Sequence, residues 1–401
     1  MTEKAPSGVI DSFRYAFSSP ARLRTEVFAG MTVALALIPE SIAFSILAGV
    51  DPAVGLFATV IMAITISFTG GRPAMITAAT GAIALVIAPV MRDHGFNYFI
   101  ATVILGGIFQ ILLAVLGIAR LMRFIPRSVM VGFVNALGIL VFSAQLPHLF
   151  NVPWLVYPLV AIGLVIVVGL PRLTTVVPAP LVAIVVLTAM VLAFGWSVPN
   201  VGDMGQLPSS LPGLLLPDVP LTLETFSIIA PYALGMAVVG IMESLMTAKL
   251  VDDITDTHSD KTRESWGQGV ANIVTGFFGG MGGCGMIGQT MINVRESGAR
   301  TRLSTLISGV FLLVLMLTLN NLVGQIPMAA LVAVMIVVSL GTIDWHSLHP
   351  RTLKFMPLSE TTAMLVTVVG TLGTGNLAVG VVLGVLTAMV TLSLIHISEP
   401  T

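Results

Sequence analysis

The chain has 401 residues, of which 56% are hydrophobic and only 9% are charged, with a formal net charge of −1. A soluble domain carries about 25% charged residues, so this composition excludes a soluble protein and indicates an integral membrane protein. Apolar runs recur from residue 27 to residue 392, which excludes a soluble core with a single anchor. The single cysteine, Cys284, excludes an intramolecular disulfide and a CxxC metal site.

The first 26 residues form a charged N-terminal segment. They lack the short apolar centre and the small-residue cleavage site of a signal peptide, so we expect the first membrane helix to be retained. We assign residues 1–26 to the cytoplasm. The charges lie at Lys4, Asp11, Arg14, Arg22, Arg24 and Glu26.

Fourteen apolar segments follow and predict an all-α polytopic membrane protein. Several are shorter than the ~20 residues that a simple span needs, notably segments three and ten. Both lie at glycine-rich stretches, GGRPAMITAATGA (70–82) and GGMGGCGMIGQT (279–290), which predicts two short broken helices. The segments centre on 27–48, 54–68, 78–91, 99–117, 126–144, 155–170, 176–194, 224–249, 265–278, 286–294, 303–319, 327–341, 360–371 and 377–392.

The basic residues test this threading of the chain. With the N-terminus in the cytoplasm, 17 of the 18 lysines and arginines fall inside, and Arg92 falls outside. The long loop at 195–223 contains neither residue type. This bias follows the positive-inside rule and supports the threading. We expect the protein to lie in the cytoplasmic (inner) membrane. The inner turns hold Arg72, Arg120, Arg123, Arg127, Arg172, Lys249, Lys261, Arg263, Arg295, Arg300, Arg302, Arg351 and Lys354.

The two halves of the chain resemble each other. Four dipeptides recur in the same order at offsets of 205, 203, 209 and 201 residues, which divides the chain into a first repeat (27–194), an extracytoplasmic loop (195–223) and a second repeat (224–391). Seven segments per repeat is an odd number, so the second repeat must enter from the opposite face, as in secondary transporters. The pairs are Gly30-Met31 with Gly235-Met236, Glu40-Ser41 with Glu243-Ser244, Gly70-Gly71 with Gly279-Gly280, and Ile125-Pro126 with Ile326-Pro327.

Two acidic residues fall well inside membrane segments, Glu40 in segment one and Glu243 in segment eight. They occupy matching places in the repeats. One helical turn later Glu243 has a hydroxyl, Thr247, whereas Glu40 has an aromatic ring, Phe44. Since a charge at bilayer depth is costly, the functional interpretation is a site where Glu243 binds a proton or Na⁺. In the alternative interpretation each carboxyl is protonated and bonds a neighbouring helix.

The two glycine-rich breaks are candidate anion sites. Ala78 to Gly81 and Gly288 to Thr290 would each start a half-helix inside the membrane, and a helix N-terminus attracts anions through its unpaired N–H groups. Small residues let a ligand approach the backbone closely. The alternative is that they serve helix packing. These small residues are Ala78, Ala79, Gly81, Gly285 and Gly288.

We interpret the remaining polar residues as structural. Cys284 is interpreted as a small apolar filler. Arg72 is interpreted as a topology charge, with a place at the inner entrance as the alternative. The histidines fall in loops or interfaces, which disfavours a proton-relay histidine. The other assignments are an inner-face topology role for Arg295, Arg300 and Arg302, and a solvated cytoplasmic loop for Asp252, Asp253, Asp256 and Asp260.

Three stretches resemble the sulfate permease family of anion transporters (SulP, solute carrier family 26): DPAVGLFAT, GGRPAMITAATGA and GQGVANIVTGFFGGMGGCGMIGQTMINVRESGARTRLS. The resemblance runs from about residue 25 to residue 391. It implies two inverted seven-segment repeats that form a core domain and a gate domain, with the anion between segments three and ten. The first stretch departs from the family's Pro-x-Tyr-Gly-Leu-Tyr pattern, with Val54 and Phe57 where tyrosines are usual.

The same resemblance implies site residues. The cation site of sodium-coupled bicarbonate members would correspond to Glu243 and Thr247, with Thr80 on segment three. The implied anion-site residues are Glu40, Phe44, Ala79, Thr80, Gly81, Gly288, Gln289 and Thr290.

Two departures from the family qualify what the resemblance implies. Many members have glutamine where Glu40 stands, so a second carboxylate near the anion argues against simple sulfate uptake. The family's cytoplasmic STAS domain is missing from the 401 residues. We expect as partners a small inorganic or organic anion, H⁺ or Na⁺ and the lipid bilayer, with a homodimer left open. We expect no cofactor and no nucleic acid.

The sequence leaves several functions open. The favoured one is a secondary anion transporter; the alternatives are a nucleobase permease of the same fold, against which Gln289 counts, and a passive anion channel. An intramembrane enzyme is disfavoured because its GxSG, HExxH or facing-aspartate motifs are missing. Finally, LSLIHISEPT (392–401) matches the translation of a transposase-end sequencing adaptor, so we interpret it as an artefact, with a natural tail as the alternative.

Overall fold

The computed structural model describes residues 8–117, 126–173, 179–205, 207 and 210–398. Some residues used in the sequence predictions, among them Lys4, Arg120, Arg123, Ile125 and the end of the tail, lie outside these ranges. The chain divides into two compact units. The first unit is Met1–Arg120 with Asn151–Val334, and the second unit is Leu121–Phe150 with Met335–Thr401.

The first unit contains the elements that carry both glutamates and both breaks. Its first half holds α1 (Val9–Ala16), α2 (Pro20–Ala48), α3 (Pro52–Thr69), β1 (Thr77–Ala79), α4 (Gly81–His94) and α5 (Phe96–Val115). Later parts of the chain add α7 (Val156–Gly169), α8 (Ala179–Phe194), α9 (Leu223–Thr255), α10 (Lys261–Phe277), β2 (Gly283–Gly285), α11 (Ile287–Met291) and α12 (Arg302–Gly324). A short π-helix, Ile292–Glu296, follows α11.

The second unit is a smaller helical group. Its elements are α6 (Arg127–Ser143), the end of α13 (Met328–Thr342), α14 (Pro350–Phe355), α15 (Leu358–Thr374) and α16 (Leu377–Ser398). Helix α6 packs against α15 and α16. The buried side chain of Asn135 joins this group to the segment after α13, since its Nδ2 donates to Ser347 Oγ at 2.9 Å and its Oδ1 accepts from Asp344 N at 2.7 Å.

Every one of the fourteen predicted segments coincides with a helix, or with a strand followed by a helix, and the mostly helical architecture is confirmed. Within the described residues, six helices are long and apolar enough to cross a membrane, and four shorter apolar helices accompany them. The sequence did not predict the two strands. Residues 176–178 of segment seven lie outside the description, so α8 is described from Ala179 onward.

Local sequence sets the ends of the two helices that carry the glutamates. Helix α2 starts where Ser19 accepts a hydrogen bond from Arg22 N, and it ends at Gly49 with φ 77°, a left-handed conformation that suits glycine. Helix α9 starts at Thr222, whose side chain accepts from Thr225 N. Ser and Thr at these positions satisfy N–H groups that the helix itself leaves unpaired.

The two repeats interleave within the first unit. Helices α2 and α3 of the first repeat pack against α12 of the second, and α5 packs against α9 and α10. At the α5–α10 crossing, a Cβ on Gly107 would lie 2.6 Å from Gly269 O, and a Cβ on Gly269 would lie 2.6 Å from Gly107 O. Glycine lets the two backbones meet at this crossing, as small residues do between membrane helices.

Buried and partly buried charges lie at the ends of α3, α9 and α12 and correct two sequence interpretations. Arg302 is 1% exposed, and its Nη2 donates to Gly70 O at 2.7 Å, so it anchors the end of α3 and is not a surface topology residue. Arg72 pairs with Asp252 at 2.9 Å. Asp252 therefore belongs to a partly buried ion pair and not to a solvated loop. Burial lowers the pKa of the Arg72 guanidinium, and the neighbouring Asp252 offsets only part of this effect.

Two further carboxylates are buried that the sequence interpretation did not place in the core. Glu264 Oε2 accepts from the backbone N–H groups of Gly71 and Arg72 at 2.8 and 2.9 Å. Glu26 Oε1 accepts from Arg300 N at 2.7 Å and from Thr301 N at 3.1 Å. Glu264 of the second repeat thus binds the loop that leads into β1, and Glu26 of the N-terminal segment binds the loop that leads into α12.

Candidate functional site

The candidate site is built on the two strands. β1 and β2 pair antiparallel with Thr77 opposite Gly285, Ala78 opposite Cys284 and Ala79 opposite Gly283. Helix α4 follows β1, and α11 follows β2. Because the strands run in opposite directions, the chain enters the two half-helices from opposite directions.

The half-helices begin close to the predicted positions. The sequence predicted starts at Ala78–Gly81 and Gly288–Thr290, and the structure starts α4 at Gly81 and α11 at Ile287. Ala78 and Ala79 lie in β1, so they are strand residues and not the first turn of a helix. Neither N-cap residue, Thr80 or Met286, uses its side chain to cap its helix. Backbone N–H groups at both starts are thus left for another partner.

Glu40 and Phe44 of α2 lie beside the start of α4 and α11. Both side chains are 5% exposed. Gln289 Nε2 of α11 donates a short hydrogen bond to Glu40 Oε1, which joins the first repeat to the second. The Phe44 ring covers the start of α4, since a Cβ on Gly81 would lie 2.8 Å from Phe44 Cε1. The structure therefore brings four of the predicted anion-site residues together.

Two further predicted anion-site residues, Gly288 and Thr290, differ in exposure. Gly288 is exposed, and a Cβ there would have no neighbour within 4 Å, so its backbone faces open space. Thr290 is buried, and its hydroxyl accepts from Ile76 N at 3.0 Å. The Thr290 side chain thus holds the segment before β1. Its hydroxyl is engaged by Ile76, and its part in an anion site stays a prediction.

Glu243 lies on α9 beside β2. Its carboxylate Oε2 accepts a hydrogen bond from Cys284 Sγ at 2.9 Å, and Cys284 Sγ also lies 3.2 Å from Thr80 Oγ1. The thiol therefore stands between the carboxylate and the hydroxyl. Thr247, one turn after Glu243, donates to Glu243 O at 2.8 Å and lies 3.2 Å from Gly285 O. Its hydroxyl is directed at backbone carbonyls and not at the carboxylate.

Cys284 is the site residue that the sequence interpretation missed. It was interpreted as an apolar filler, but it is fully buried and polar in its contacts. No local signal in the sequence pointed to this contact, because Cys284 lies among small apolar residues and its partners Thr80 and Glu243 lie 204 and 41 residues away. Cys284 lies inside β2, whereas Thr80 is the residue before α4, so the two do not occupy matching places in the repeats.

The residues at this position do not fit Na⁺, the cation that the family resemblance implies. Na⁺ is a hard cation that prefers oxygen ligands, as other hard cations do, whereas a thiol is a soft ligand. The place between Glu243 and Thr80 is taken by the Cys284 thiol, which is a hydrogen-bond donor toward the carboxylate. Across the described residues, no cluster of three or more His, Cys, Asp or Glu side chains could hold a metal ion.

Comparison with known proteins decides the family. The model of the sulfate permease family matches residues 23–160 and 151–367, most of the chain. The chain belongs to the sulfate permease family. The "Putative sulfate transporter YbaR" of Bacillus subtilis is 56% identical over 368 residues, which cover 92% of this chain and 76% of that protein. The bicarbonate transporter BicA of a Picosynechococcus species is 28% identical over 369 residues, 82% of this chain and 64% of that protein.

Solved structures agree with membership of the sulfate permease family. The transmembrane domain of a cyanobacterial bicarbonate transporter BicA matches with a TM-score of 0.77 at 25% identity, covering 93% of this chain and 97% of that chain. The murine Slc26a9 anion transporter, in its inward-facing state, matches with a TM-score of 0.80 at 17% identity, covering 96% of this chain. The second match shows the fold alone. The chain is thus a polytopic membrane protein of an anion-transporter family, with the inverted-repeat fold, and its relatives are transporters and not enzymes.

Proposed function

We propose that the protein is a secondary active transporter that moves small anions of the sulfate, bicarbonate or dicarboxylate class by alternating access. The observation that carries this proposal is the meeting of two half-helix starts at the β1–β2 pair. N–H groups and helix dipoles attract an anion there without a basic side chain. The names of YbaR and BicA support sulfate and bicarbonate as the first substrates to test.

The proposed anion site uses the two half-helix starts and the side chains around them. Gly81 and Gly288 offer backbone N–H groups to the anion. Phe44 forms an apolar wall, and Gln289 is held in place by Glu40. Thr80 and Ala79 lead into α4 and set where its first turn begins.

We assign cation coupling to Glu243. A buried carboxylate and a bound anion in one low-dielectric site repel each other strongly. Anion binding is therefore easier when Glu243 carries a bound cation, and by linkage the anion favours that cation in return. The sequence interpretation named H⁺ and Na⁺ as the two candidates.

The decisive experiment is uptake into proteoliposomes. A panel of radiolabelled sulfate, bicarbonate, chloride and dicarboxylates should be offered with and without an inward pH or Na⁺ gradient. We expect saturable uptake of at least one anion and accumulation above equilibrium when a cation gradient is present. Uptake that never exceeds electrochemical equilibrium, with currents proportional to voltage, would instead identify a passive anion channel.

Orientation and assembly complete the proposal. We propose that the protein lies in the cytoplasmic membrane with its N-terminus inside, and that it forms a homodimer. A cysteine at Ser210, in the extracytoplasmic loop, should react with an impermeant maleimide in whole cells. A cysteine at His258 should react only after permeabilisation, and native mass spectrometry should report the mass of a dimer.

A further inference from the structure

The position of the Cys284 thiol bears on which cation this transporter can use. Sγ lies 2.9 Å from Glu243 Oε2 and 3.2 Å from Thr80 Oγ1, so it occupies the place between the two oxygen ligands. We propose that Cys284 is a specificity-determining residue that excludes Na⁺ from Glu243. This inference rests on the proposed cation coupling at Glu243, and it names which cation that site rejects.

The strand that carries the thiol is held on both sides, which fixes the backbone position from which the Cys284 side chain reaches Glu243. Gly283 N donates to Asn272 Oδ1, and Gly285 N donates to Ser244 Oγ, each at 2.9 Å. Cys284 itself pairs with Ala78 of β1. A Cβ on Gly283 would lie 2.6 Å from Met62 Sδ, so the strand packs closely against α3 at this residue.

The ligand chemistry then opposes Na⁺. A Na⁺ ion between Glu243 and Thr80 would have to displace the S–H···O hydrogen bond and accept a neutral sulfur as a near neighbour. Hard cations gain little from such a ligand, and they lose water oxygens when they enter the site. The Thr247 hydroxyl does not compensate, because it is directed at two backbone carbonyls.

Other ionisable groups on the elements around β2 do not take part. Glu264 of α10 is bound to the backbone of Gly71 and Arg72, and Arg92 and Asp93 at the end of α4 pair with each other in solvent. Among the described residues, Cys284 is therefore the titratable group that contacts the Glu243 carboxylate. With Na⁺ excluded, the proton remains as the coupling cation.

The first test measures Na⁺ binding without transport. Purified full-length protein is incubated with radiolabelled Na⁺, and the wild type is compared with Cys284→Ser, Cys284→Ala and the double variant Glu243→Gln/Cys284→Ser. We expect no saturable Na⁺ binding by the wild type and a gain of binding by Cys284→Ser, which places a hydroxyl oxygen beside the carboxylate. The gain should vanish in the double variant. Saturable, Glu243-dependent binding by the wild type would overturn the proposal, and so would the lack of any gain in both Cys284 variants.

The second test needs no variant at Cys284. The chain has a single cysteine, so its infrared spectrum contains one S–H stretching band. We expect this band to lie at the low frequency of a thiol that donates to a carboxylate, to move in Glu243→Gln, and to stay fixed when NaCl replaces choline chloride. A band that moves with Na⁺ in the wild type would show that the ion enters the site and would refute the exclusion.

The two tests separate this inference from the proposed function. Both measure the cation site in protein that is not transporting. A protein that passes both tests but accumulates no anion in proteoliposomes contradicts the proposed transport and leaves the exclusion of Na⁺ intact. A transporter that is driven by a Na⁺ gradient contradicts the exclusion and leaves anion transport intact.

Discussion

Glu40 and Glu243 occupy matching places in two repeats, yet different side chains bind them. Glu40 receives an amide N–H from Gln289, and Glu243 receives a thiol S–H from Cys284. Both partners belong to the broken segment of the second repeat. One turn later, the Phe44 ring covers the start of α4, whereas Thr247 bonds backbone carbonyls.

This difference shows how matching residues in two inverted repeats can take different roles. The paired Glu-Ser dipeptides put a carboxylate at matching sequence positions in the two repeats, but the contacts of each carboxylate differ. Glu40 is beside an aromatic wall and an exposed glycine of α11, which suits contact with a substrate. Glu243 is enclosed by β2, which suits the binding and release of a small cation. A charged carboxylate at such depth costs roughly 2.5–3.5 kcal/mol on insertion scales, so we do not expect it to persist without a function.

The largest expected effect follows from Glu243→Gln. The amide resembles a carboxyl that always carries its proton, so anion exchange should survive while gradient-driven accumulation is lost. A difference of one pH unit is worth about 1.4 kcal/mol per proton, enough for about a tenfold accumulation of anion per coupled proton in the wild type. Uptake with imposed pH gradients measures this. A variant that still accumulates anion in response to both pH and Na⁺ gradients would assign Glu243 a structural role and make Glu40 the next candidate.

The next largest effect concerns the Phe44 ring, the apolar wall near Glu40. Gly81→Ala places a methyl 2.8 Å from Phe44 Cε1. Overpacking of this kind costs about 1–3 kcal/mol of folding stability. A Phe44 ring displaced from the start of α4 should also weaken anion binding, by up to about tenfold. The double variant Phe44→Ala/Gly81→Ala should recover part of the loss, because the two residues are in contact. Equilibrium binding of the transported anion to the purified wild type, both single variants and the double variant completes this double-mutant cycle.

Gly288 provides the matched control for this clash. Since nothing lies within 4 Å of a Cβ at this position, Gly288→Ala should leave the fold and the binding close to the wild type. Gly288→Leu should fold and insert but block the anion, because the bulk then fills the space that the anion needs. If Gly81→Leu and Gly288→Leu both retain wild-type affinity, the anion does not lie at the two half-helix starts.

A smaller effect is expected from Glu40→Gln. The glutamine can still accept from Gln289, but the negative charge near the anion is removed. Charge repulsion of about 1 kcal/mol changes binding by roughly three- to tenfold, and a divalent anion such as sulfate should gain more than a monovalent one. Glu40→Ala should behave differently, because it leaves the buried Gln289 amide unpaired at a cost of about 1–3 kcal/mol. Equal effects of Glu40→Gln on sulfate and chloride affinity would show that no charge is present there.

The sequence predicted the helices and both glutamates because those signals are local or regular. The lengths of the apolar runs predicted the membrane segments, and the constant offset between the repeats linked Glu40 with Glu243. The sequence did not reveal the strands, because three-residue strands such as Gly283–Gly285 have no periodic pattern and depend on a partner about 200 residues away. Arg302 and Asp252 were misjudged for the same reason. Their partners come from other elements, so their burial could not be inferred from their neighbours in sequence.

The smallest expected effect uses the serines that follow the two glutamates. Ser244 Oγ accepts from Gly285 N at 2.9 Å, so Ser244→Ala leaves a buried β2 N–H without its partner, which costs about 1–3 kcal/mol. Ser41 Oγ instead shares a 2.6 Å hydrogen bond with Thr59 Oγ1. Ser41→Ala removes this hydroxyl pair, but Thr59 Oγ1 still accepts from Ala79 N at 3.3 Å. The free energy of unfolding should therefore fall by only about 1 kcal/mol. Thermal unfolding of both variants in the same detergent measures the difference. Equal losses of unfolding free energy in the two variants would mean that β2 and α3 depend equally on these serines. The difference between the repeats would then lie only in the two carboxylates and the residues that bind them.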